Sequence, residues 1–162
     1  MANVGIFFGS DTGNTEKVAV MIASRLGLEA QDIAGLSHDI FDAYDLLILG
    51  TPTANYGEMQ PDWDYFVPEL EEADLTGKKV ALFGLGDQID YPDSYLDAMG
   101  DLADLVMQAG GELIGQWPAE GYQFNDSRAF RDGRFIGLAL DEDRQPELTE
   151  DRVATWLASL GL

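Results

Sequence analysis

The sequence predicts an α/β protein in which helices cover both faces of a doubly wound parallel sheet. Four short apolar runs, rich in aliphatic and β-branched residues, are nearly continuous rather than alternating, which is typical of strands buried on both faces. Segments with helical periodicity lie between these runs. The repeated alternation of strand and helix predicts parallel strands joined by right-handed crossovers.

The predicted strands follow the apolar runs. The four strong candidates are Val4–Phe8, Leu46–Thr51, Val80–Leu85 and Leu113–Trp117. A weaker candidate lies around Leu28–Ile33, where charged and polar residues interrupt the pattern. Such interruption is expected of a strand at the edge of the sheet.

Four amphipathic segments are predicted to form helices. The first two are Thr15–Leu26 and about Asp62–Leu70; the third is marked by Leu96, Met99, Ala103, Val106 and Met107, and the last by Val153, Trp156, Leu157 and Leu160. We expect Thr149 to be the N-cap of the last helix, because two acidic residues follow it in the turn that the helix dipole favours for negative charge.

The fifth strand is predicted to be interrupted. A polar stretch with glycines and aromatic residues runs from Trp117 to Ile136, and a second apolar piece follows at Phe135–Leu140. We interpret this as one strand broken by a loop of roughly twenty residues, a length that is uncommon in compact domains and often functional.

Length and composition limit the class of protein. The 162 residues suit a single domain covering residues 1–162, and no apolar run approaches the ~20 residues that cross a bilayer. The chain contains no cysteine, which excludes disulfides, thiolate metal sites and thiol catalysis. The first strand begins at once, without room for a signal peptide. We therefore expect a cytoplasmic protein.

The charge is strongly negative. Thirty acidic residues face nine basic ones, for a formal net charge of −21. Such a surface repels nucleic acids and anionic membranes, and attracts basic protein partners at low salt. Adaptation to a salty cytoplasm explains the same composition, and the sequence leaves both explanations open.

The loop after the first strand has the composition of an anion site. Ser10, Asp11, Thr12, Gly13, Asn14 and Thr15 come directly before the first helix. The amino terminus of a helix offers unpaired N–H groups and a positive dipole end, which together favour a phosphate. The loop lacks the lysine of triphosphate-binding loops, so a phosphate monoester fits better. The alternative is a polar turn that only caps the helix.

Two further loops should lie beside this one. In doubly wound sheets, ligands bind outside the carboxyl ends of the strands, at the point where strand order reverses. The stretches 9–14, 51–60 and 84–95 all follow predicted strands and are rich in Gly, Thr, Asn, Asp and Tyr. We expect them to form one binding site.

These residues resemble the flavodoxin family. The resemblance lies in Ser10–Thr15, Gly50–Thr53 with Tyr56–Glu58, and Gly84–Gln88 with Tyr91–Pro92. It covers essentially the whole chain, and the segment from Gly121 to Asp143 is similar to the inserted strand of the long-chain subgroup. The resemblance implies a five-stranded parallel sheet of order 2-1-3-4-5, FMN as the cofactor, and an electron-transfer protein rather than an enzyme.

The resemblance also implies a role for each loop. The stretch Ser10–Thr15 would hold the FMN phosphate without a cationic side chain. One side of the isoalloxazine would be lined by Thr51, Pro52, Thr53, Ala54, Asn55, Tyr56 and Gly57. The other side would be lined by Leu85, Gly86, Asp87 and Tyr91, with Tyr91 stacked on the ring. Asp143 falls where the family has contacts on the cofactor side, although an ordinary solvated position explains this aspartate equally well.

The chain departs from the family at Ala54, where many flavodoxins have a tryptophan that stacks on the inner flavin face. That face is then open, is covered by Tyr56 or Met59, or is overlaid by another part of the loop. Trp63 is close in sequence, but we expect it in the core. We expect the backbone carbonyl of Asn55 to accept a hydrogen bond from flavin N5–H after one-electron reduction.

The implied function is a low-potential carrier of single electrons. Carboxylates at Asp11, Glu58, Asp87 and Asp90 would oppose the negative charge of the second electron. The expected partners are larger redox proteins with basic docking faces, a flavin reductase as donor and a redox enzyme as acceptor. The carrier is expected to be a monomer that binds neither nucleic acid nor membrane.

Other functions are less well supported. An FMN-dependent NAD(P)H:quinone or nitro reductase uses the same scaffold and stays the alternative. A signalling receiver domain needs an aspartate at the end of the third strand, where this chain has Gly50-Thr51-Pro52. No metal site is expected, because His38 is predicted to be an isolated surface residue and Asp141 and Asp143 to lie on the exposed side of a strand end.

Overall fold

A computed structural model describes residues 3–54 and 56–162. One parallel sheet organises the molecule, with β1 (Val4–Phe8), β2 (Ala30–Asp32), β3 (Leu46–Ala54) and β5 (Lys79–Leu85) in the order β2-β1-β3-β5. Strands β6 (Glu112–Ile114) and β10 (Leu138–Leu140) both pair with the far side of β5. The doubly wound α/β fold and its strand order are therefore confirmed, with β2 at the edge as predicted.

Within the described residues, four α-helices cover the sheet. They are α1 (Asn14–Leu26), α2 (Pro61–Glu72), α3 (Asp97–Gln108) and α4 (Thr149–Ser159), with short 3₁₀ helices at His38–Ala43 and Pro146–Leu148. No helix in the described part of the chain is long and apolar enough to span a membrane.

The sheet is buried on both faces because its strands send alternate side chains to two apolar cores. Phe7, Leu47 and Leu82 pack with α2 and α3 on one face, whereas Phe8, Ile48 and Phe83 pack with α1 and α4 on the other. Trp63 is fully buried in the first core, as expected, and its Nε1–H donates to the carbonyl of Gly50 at 2.9 Å.

The fifth strand is divided into two pieces that lie end to end on β5. Ile114 pairs with Ala81, and Leu138 pairs with Phe83. The interruption is thus confirmed, but the predicted bounds were wrong at Trp117 and Phe135. These two residues pair with each other in a small antiparallel sheet of β7 (Trp117–Pro118), β8 (Phe130–Arg131) and β9 (Arg134–Phe135).

A glycine explains where the chain leaves the main sheet. Gly115 has a φ of 83°, a conformation that other residues rarely adopt, and it turns the chain away from β5 after Ile114. Residues 115–137, called the insertion below, then pack an aromatic cluster against Tyr95. Its members are Tyr122, Phe124, Phe130 and Phe135.

The expected N-cap role of Thr149 was wrong. Thr149 is the first helical residue of α4, with φ −60° and ψ −47°, and its own N–H donates to the carbonyl of Pro146. The 3₁₀ turn at Pro146–Leu148 leads directly into α4, so an extended capping residue has no place there. The Thr149 hydroxyl is buried and has no hydrogen-bond partner among the described residues.

Candidate functional site

Four loops meet at the carboxyl ends of β1, β3, β5 and β10. Together they enclose a cavity of about 440 Å³, within the usual range for small-ligand sites. The predicted site residues that line it are Asp11, Thr12, Asn14, Pro52, Thr53, Ala54, Leu85, Gly86, Asp87, Tyr91 and Asp143.

The other predicted site residues lie behind or beside the cavity wall. Ser10, Gly13, Thr15, Thr51, Tyr56 and Gly57 belong to the same loops and strand ends but do not line the cavity. Asn55 lies outside the described residues, and so does the contact expected of its carbonyl.

The loop at residues 10–15 has the form of an anion site. Gly13 has a φ of 92°, and helix α1 begins at the next residue. The Ser10 hydroxyl accepts a hydrogen bond from the Gly13 N–H at 3.0 Å, which closes the loop. The hydroxyl of Thr15 is buried and has no hydrogen-bond partner among the described residues. A buried, unpaired hydroxyl at a helix amino terminus is suited to an anionic ligand.

The nearest lysine is engaged elsewhere. Lys17 lies one turn into α1, and its Nζ is 3.2 Å from Oε2 of Glu142. This ion pair ties α1 to the loop after β10. Neutral donors and the dipole of α1 are therefore the features that the loop itself presents to an anion.

The loop after β3 is a hairpin. Strand β4 (Glu58–Met59) pairs with the end of β3, with Ala54 opposite Glu58. Gly57 closes the turn by donating its N–H to the carbonyl of Ala54 at 3.2 Å, and it has a φ of 101°. The hairpin brings Thr53 and Ala54 to the cavity wall.

The face at Ala54 is not covered by Met59, which packs against the core beneath α2 and α3. Tyr56 is 84% exposed, and its ring lies edge-on to that of Tyr91, with centroids 5.5 Å apart. The two tyrosines thus approach each other from the loops on opposite sides of the cavity.

The loop after β5 is held by Asp87. Its Oδ1 accepts the N–H groups of Ile89 and Asp90, and Nε of Arg144 at 3.0 Å. Partial burial opposes ionisation of Asp87, but these hydrogen bonds outweigh it and lower the pKa of the carboxyl below its usual value. Arg144 also reaches Asp90 at 2.7 Å. The guanidinium therefore joins this loop to the one after β10.

Asp141 is not on an exposed side of the strand end, contrary to the expectation from sequence. It is fully buried. Its carboxylate accepts the backbone and side-chain N–H groups of Gln88 and the N–H groups of Asp143 and Arg144. These bonds occupy the carboxylate and give it a structural role. At Asp143, burial and the neighbouring carboxylates of Asp87 and Asp141 raise the pKa.

Glu142 is a cavity residue that the sequence reasoning missed. Its side chain is only 6% exposed, and its Oε1 is buried without a partner among the described residues. Three consecutive acidic residues in a −21 chain look like a solvated surface. Only the packing of the loop after β10 against α1 distinguishes Glu142 from the rest.

Two other features lie away from this site. A larger cavity of about 870 Å³ opens at the amino ends of the strands, between residues such as Val4, Leu46 and Lys79. Ligands of doubly wound sheets bind at the opposite edge, so we assign the site to the smaller cavity. His38 is not isolated: its Nδ1 is 3.1 Å from Oε1 of Glu69, and Glu72 is near enough for the three to hold a cation.

Comparison with known proteins agrees with this geometry. The sequence model described as Flavodoxin matches residues 6–156. Flavodoxin 1 of Escherichia coli (strain K12) is 52% identical over 164 residues, covering 99% of this chain and 93% of that protein. The flavodoxin of Synechocystis sp. is 48% identical over 164 residues, covering 99% and 96%.

A solved structure is similar throughout. The crystal structure of Fusobacterium nucleatum flavodoxin bound to flavin mononucleotide has a TM-score of 0.94 and 34% sequence identity to this chain. The match covers 99% of this chain and 98% of the flavodoxin in that structure. The chain belongs to the flavodoxin family.

Proposed function

We propose that this protein carries single electrons at low potential with non-covalently bound FMN in the cavity described above. The observation that carries the proposal is the cavity itself, because a loop of uncharged donors at a helix amino terminus forms one wall, two tyrosine-bearing loops form two more, and the loop after β10 forms the fourth. It is an electron-transfer protein rather than an enzyme, and its relatives give the reductase alternative no support.

The residues present fit the phosphate of FMN. The buried Thr15 hydroxyl lacks a partner among the described residues, and Thr12 and Asn14 line the cavity beside it. A phosphate there would accept hydrogen bonds from hydroxyl and amide donors and lie at the positive end of the α1 dipole. We infer that Ser10–Thr15 holds the phosphate.

The remaining walls fit the flavin ring. We infer that Thr51–Gly57 lines one side and that Leu85, Gly86, Asp87 and Tyr91 line the other, with Asp143 at the cofactor side. Stacking on Tyr91 would contribute on the order of 1 kcal/mol beyond the burial of apolar area. The flavin supplies the one-electron redox chemistry. The chain's own residues position the flavin and determine how unfavourable the negative charge of its reduced form is.

The charge around the cavity favours a low potential for the second electron. Asp11, Asp87 and Asp143 line the cavity and Glu142 lies beside Lys17, so added negative charge is repelled. Arg144 partly offsets this, because it pairs with both Asp87 and Asp90.

Redox titration of the FMN-loaded protein tests the proposal. The apoprotein should quench the fluorescence of added FMN, and the complex should be reduced in two separate one-electron steps, the second well below the potential of free flavin. A colourless protein that leaves flavin fluorescence unchanged would contradict FMN binding. A single two-electron step near the free-flavin value would contradict the carrier function.

The partners are redox proteins, as follows from electron transfer. We infer that their docking faces are basic, because the net charge of −21 would attract them, and that a flavin reductase donates and a redox enzyme accepts. We also infer a monomeric, single-domain protein of the cytoplasm. Ultracentrifugation and cell fractionation test those last points.

A further inference from the structure

The insertion is fastened to α3 by two arginines. Arg128 and Arg131 are three residues apart, and each pairs with an aspartate of α3: Arg128 with Asp101 and Arg131 with Asp104. The two aspartates are also three residues apart, so the arginines follow one face of the helix. Backbone packing is close here, since a Cβ at Gly100 would lie 2.7 Å from the carbonyl of Arg128.

Two carboxylates bind the Arg128 side chain, which is 52% exposed. Its Nε and Nη2 donate to the two oxygens of Asp101 at 2.9 and 2.8 Å, and its Nη1 lies 3.3 Å from Oδ2 of Asp97. Its backbone N–H donates to Oδ1 of Asp97 at 2.7 Å. The Asp97 side chain is only 7% exposed, so this end of the network is largely shielded from water.

Arg128 also reaches the hairpin on the cavity wall. Its Nη2 donates to the carbonyl of Gly57 at 2.9 Å. Gly57 is thus fixed on both sides, since its N–H donates to Ala54. Asp97 lies directly behind it: a Cβ at Gly57 would be 2.9 Å from Oδ2 of Asp97.

The start of α3 supports the same hairpin at a second point. The N–H of Ala98 donates to the Thr53 hydroxyl at 3.4 Å. Arg128 therefore links three parts of the molecule: the insertion, the first turn of α3, and the turn that follows Ala54.

We propose that Arg128 is a positioning residue that holds the hairpin in which Ala54 pairs with Glu58 ready for the flavin, so that the insertion preorganises the cofactor site. This inference rests on the proposed FMN binding. Without the bond to Gly57, the hairpin would have to be ordered when the cofactor binds, and that ordering would weaken binding.

Arg131 provides a matched control within the chain. Its Nη1 donates to Asp104 at 2.9 Å, its Nη2 to the carbonyl of Gly100 and its Nε to the carbonyl of Arg128. It fastens the same insertion to the same helix, but among the described residues its bonds do not reach the hairpin. A general loss of packing would affect both arginines, whereas positioning of the hairpin would affect Arg128 alone.

The experiment compares Arg128→Gln, Arg131→Gln and the unsubstituted protein. Two quantities are measured: the FMN dissociation constant, and amide hydrogen exchange of Tyr56–Met59 in the apoprotein. Arg128→Gln should raise the dissociation constant about tenfold and speed exchange in the hairpin. Arg131→Gln should change both by less than about twofold, although both variants should melt at lower temperature than the parent.

If Arg128→Gln does not fold, Arg128→Lys tests the positioning role of Arg128 instead. A compact ammonium keeps the charge but lacks the planar fork that makes the bidentate contact with Asp101 while also reaching Asp97 and Gly57, so the hairpin should still exchange faster than in the parent. Equal effects of Arg128→Gln and Arg131→Gln, or unchanged exchange and binding in the Arg128 variants, would overturn the proposal. Failure of the unsubstituted protein to bind FMN would instead overturn the proposed function, and the exchange measurement would still test the hairpin.

Discussion

Two threonines show how local similarity hides a difference in role. Thr15 and Thr149 both lie within the first two residues of a helix, both are buried, and both hydroxyls lack a partner among the described residues. A buried hydroxyl without a hydrogen bond is costly. Neither threonine lines the cavity, but Thr15 directly follows Asn14, a residue of the cavity wall, whereas the chain neighbours of Thr149 do not belong to that wall. Only Thr15 is therefore placed to form a hydrogen bond with a ligand in the cavity.

Replacing these threonines with valine separates the two cases. Thr15→Val should raise the FMN dissociation constant by about tenfold or more, because a hydrogen bond to a charged group contributes about 1.5–3 kcal/mol. Riboflavin, which lacks the phosphate, should bind Thr15→Val and the unsubstituted protein with the same affinity. The measurement is a fluorescence titration with each ligand.

Thr149→Val is the control, and it should leave both dissociation constants unchanged. An equal loss of riboflavin affinity in Thr15→Val would mean that the substitution disturbs the pocket generally. An unchanged FMN affinity would remove Thr15 from the phosphate site.

Residue types in the sequence identified most of the cavity wall. Small polar side chains in the loops that follow parallel strands are typical of ligand-binding loops. The acidic residues after β10 could not be sorted in the same way. Asp141 is buried under four hydrogen bonds, Glu142 lines the cavity, and Asp143 is exposed. Their chemistry is nearly identical, and only tertiary packing distinguishes them.

At the scale of elements, the hairpin after β3 depends on one glycine. Gly57 has a positive φ and has the Asp97 carboxylate close behind it. A side chain at this position would meet both backbone strain and a steric conflict. Arg128 holds Asp97 in place, so the carboxylate cannot move away freely.

Gly57→Ala should therefore destabilise the protein more than Gly133→Ala. Gly133 has a φ of 81°, and a Cβ at this position would have no neighbour within 4 Å among the described residues. Its substitution should cost only the strain of the left-handed conformation, about 1–2 kcal/mol. Gly57→Ala should destabilise the protein further, and each kcal/mol of destabilisation beyond that of Gly133→Ala should lower the melting temperature by another 2–4 °C, roughly.

Thermal unfolding followed by circular dichroism compares the two variants. Equal melting temperatures would show that the Asp97 side chain moves aside without loss of folding free energy. The hairpin would then be less constrained than its contacts indicate.

The pattern of apolar runs predicted the elements well but not every pairing. Runs such as Leu113–Trp117 look alike whether they lie in the main sheet or in a small antiparallel one, because both settings bury aliphatic and aromatic residues. Gly115 marks the point where the chain departs. The sequence shows a glycine there, but not that its carbonyl accepts a hydrogen bond from Nε1 of Trp156 at 2.9 Å, an atom that would lie 2.8 Å from a Cβ at that position.

At the scale of the molecule, the dominant feature is charge. The chain has 30 acidic residues and 9 basic ones, and several of the arginines are already paired with aspartates at the insertion and the cavity. The remaining field is negative and extends over about 10 Å at 0.1 M ionic strength. A field of this kind accelerates encounter with basic proteins.

Electron transfer from the reduced protein to a basic haem protein should depend steeply on salt. We expect the second-order rate constant to fall at least about tenfold between about 20 and 300 mM ionic strength, because screening removes electrostatic steering. Stopped-flow absorbance measures the rate. An uncharged quinone serves as the control acceptor and should show little dependence, and a flat profile with the haem protein would refute electrostatic docking.

The end-to-end placement of β6 and β10 on β5 has a consequence for how such a chain can be shortened. Ile114 lies opposite Ala81, Leu138 lies opposite Phe83, and Gly137 is packed against Leu82 between them. Joining Ile114 to Gly137 would keep the register of both pieces on β5, but it would remove buried core residues such as Ala129 and Phe135. The excised segment would also take the guanidinium of Arg128 with it, so a shortened protein would need new apolar cover for Tyr95 and a new brace for the turn beside its cofactor.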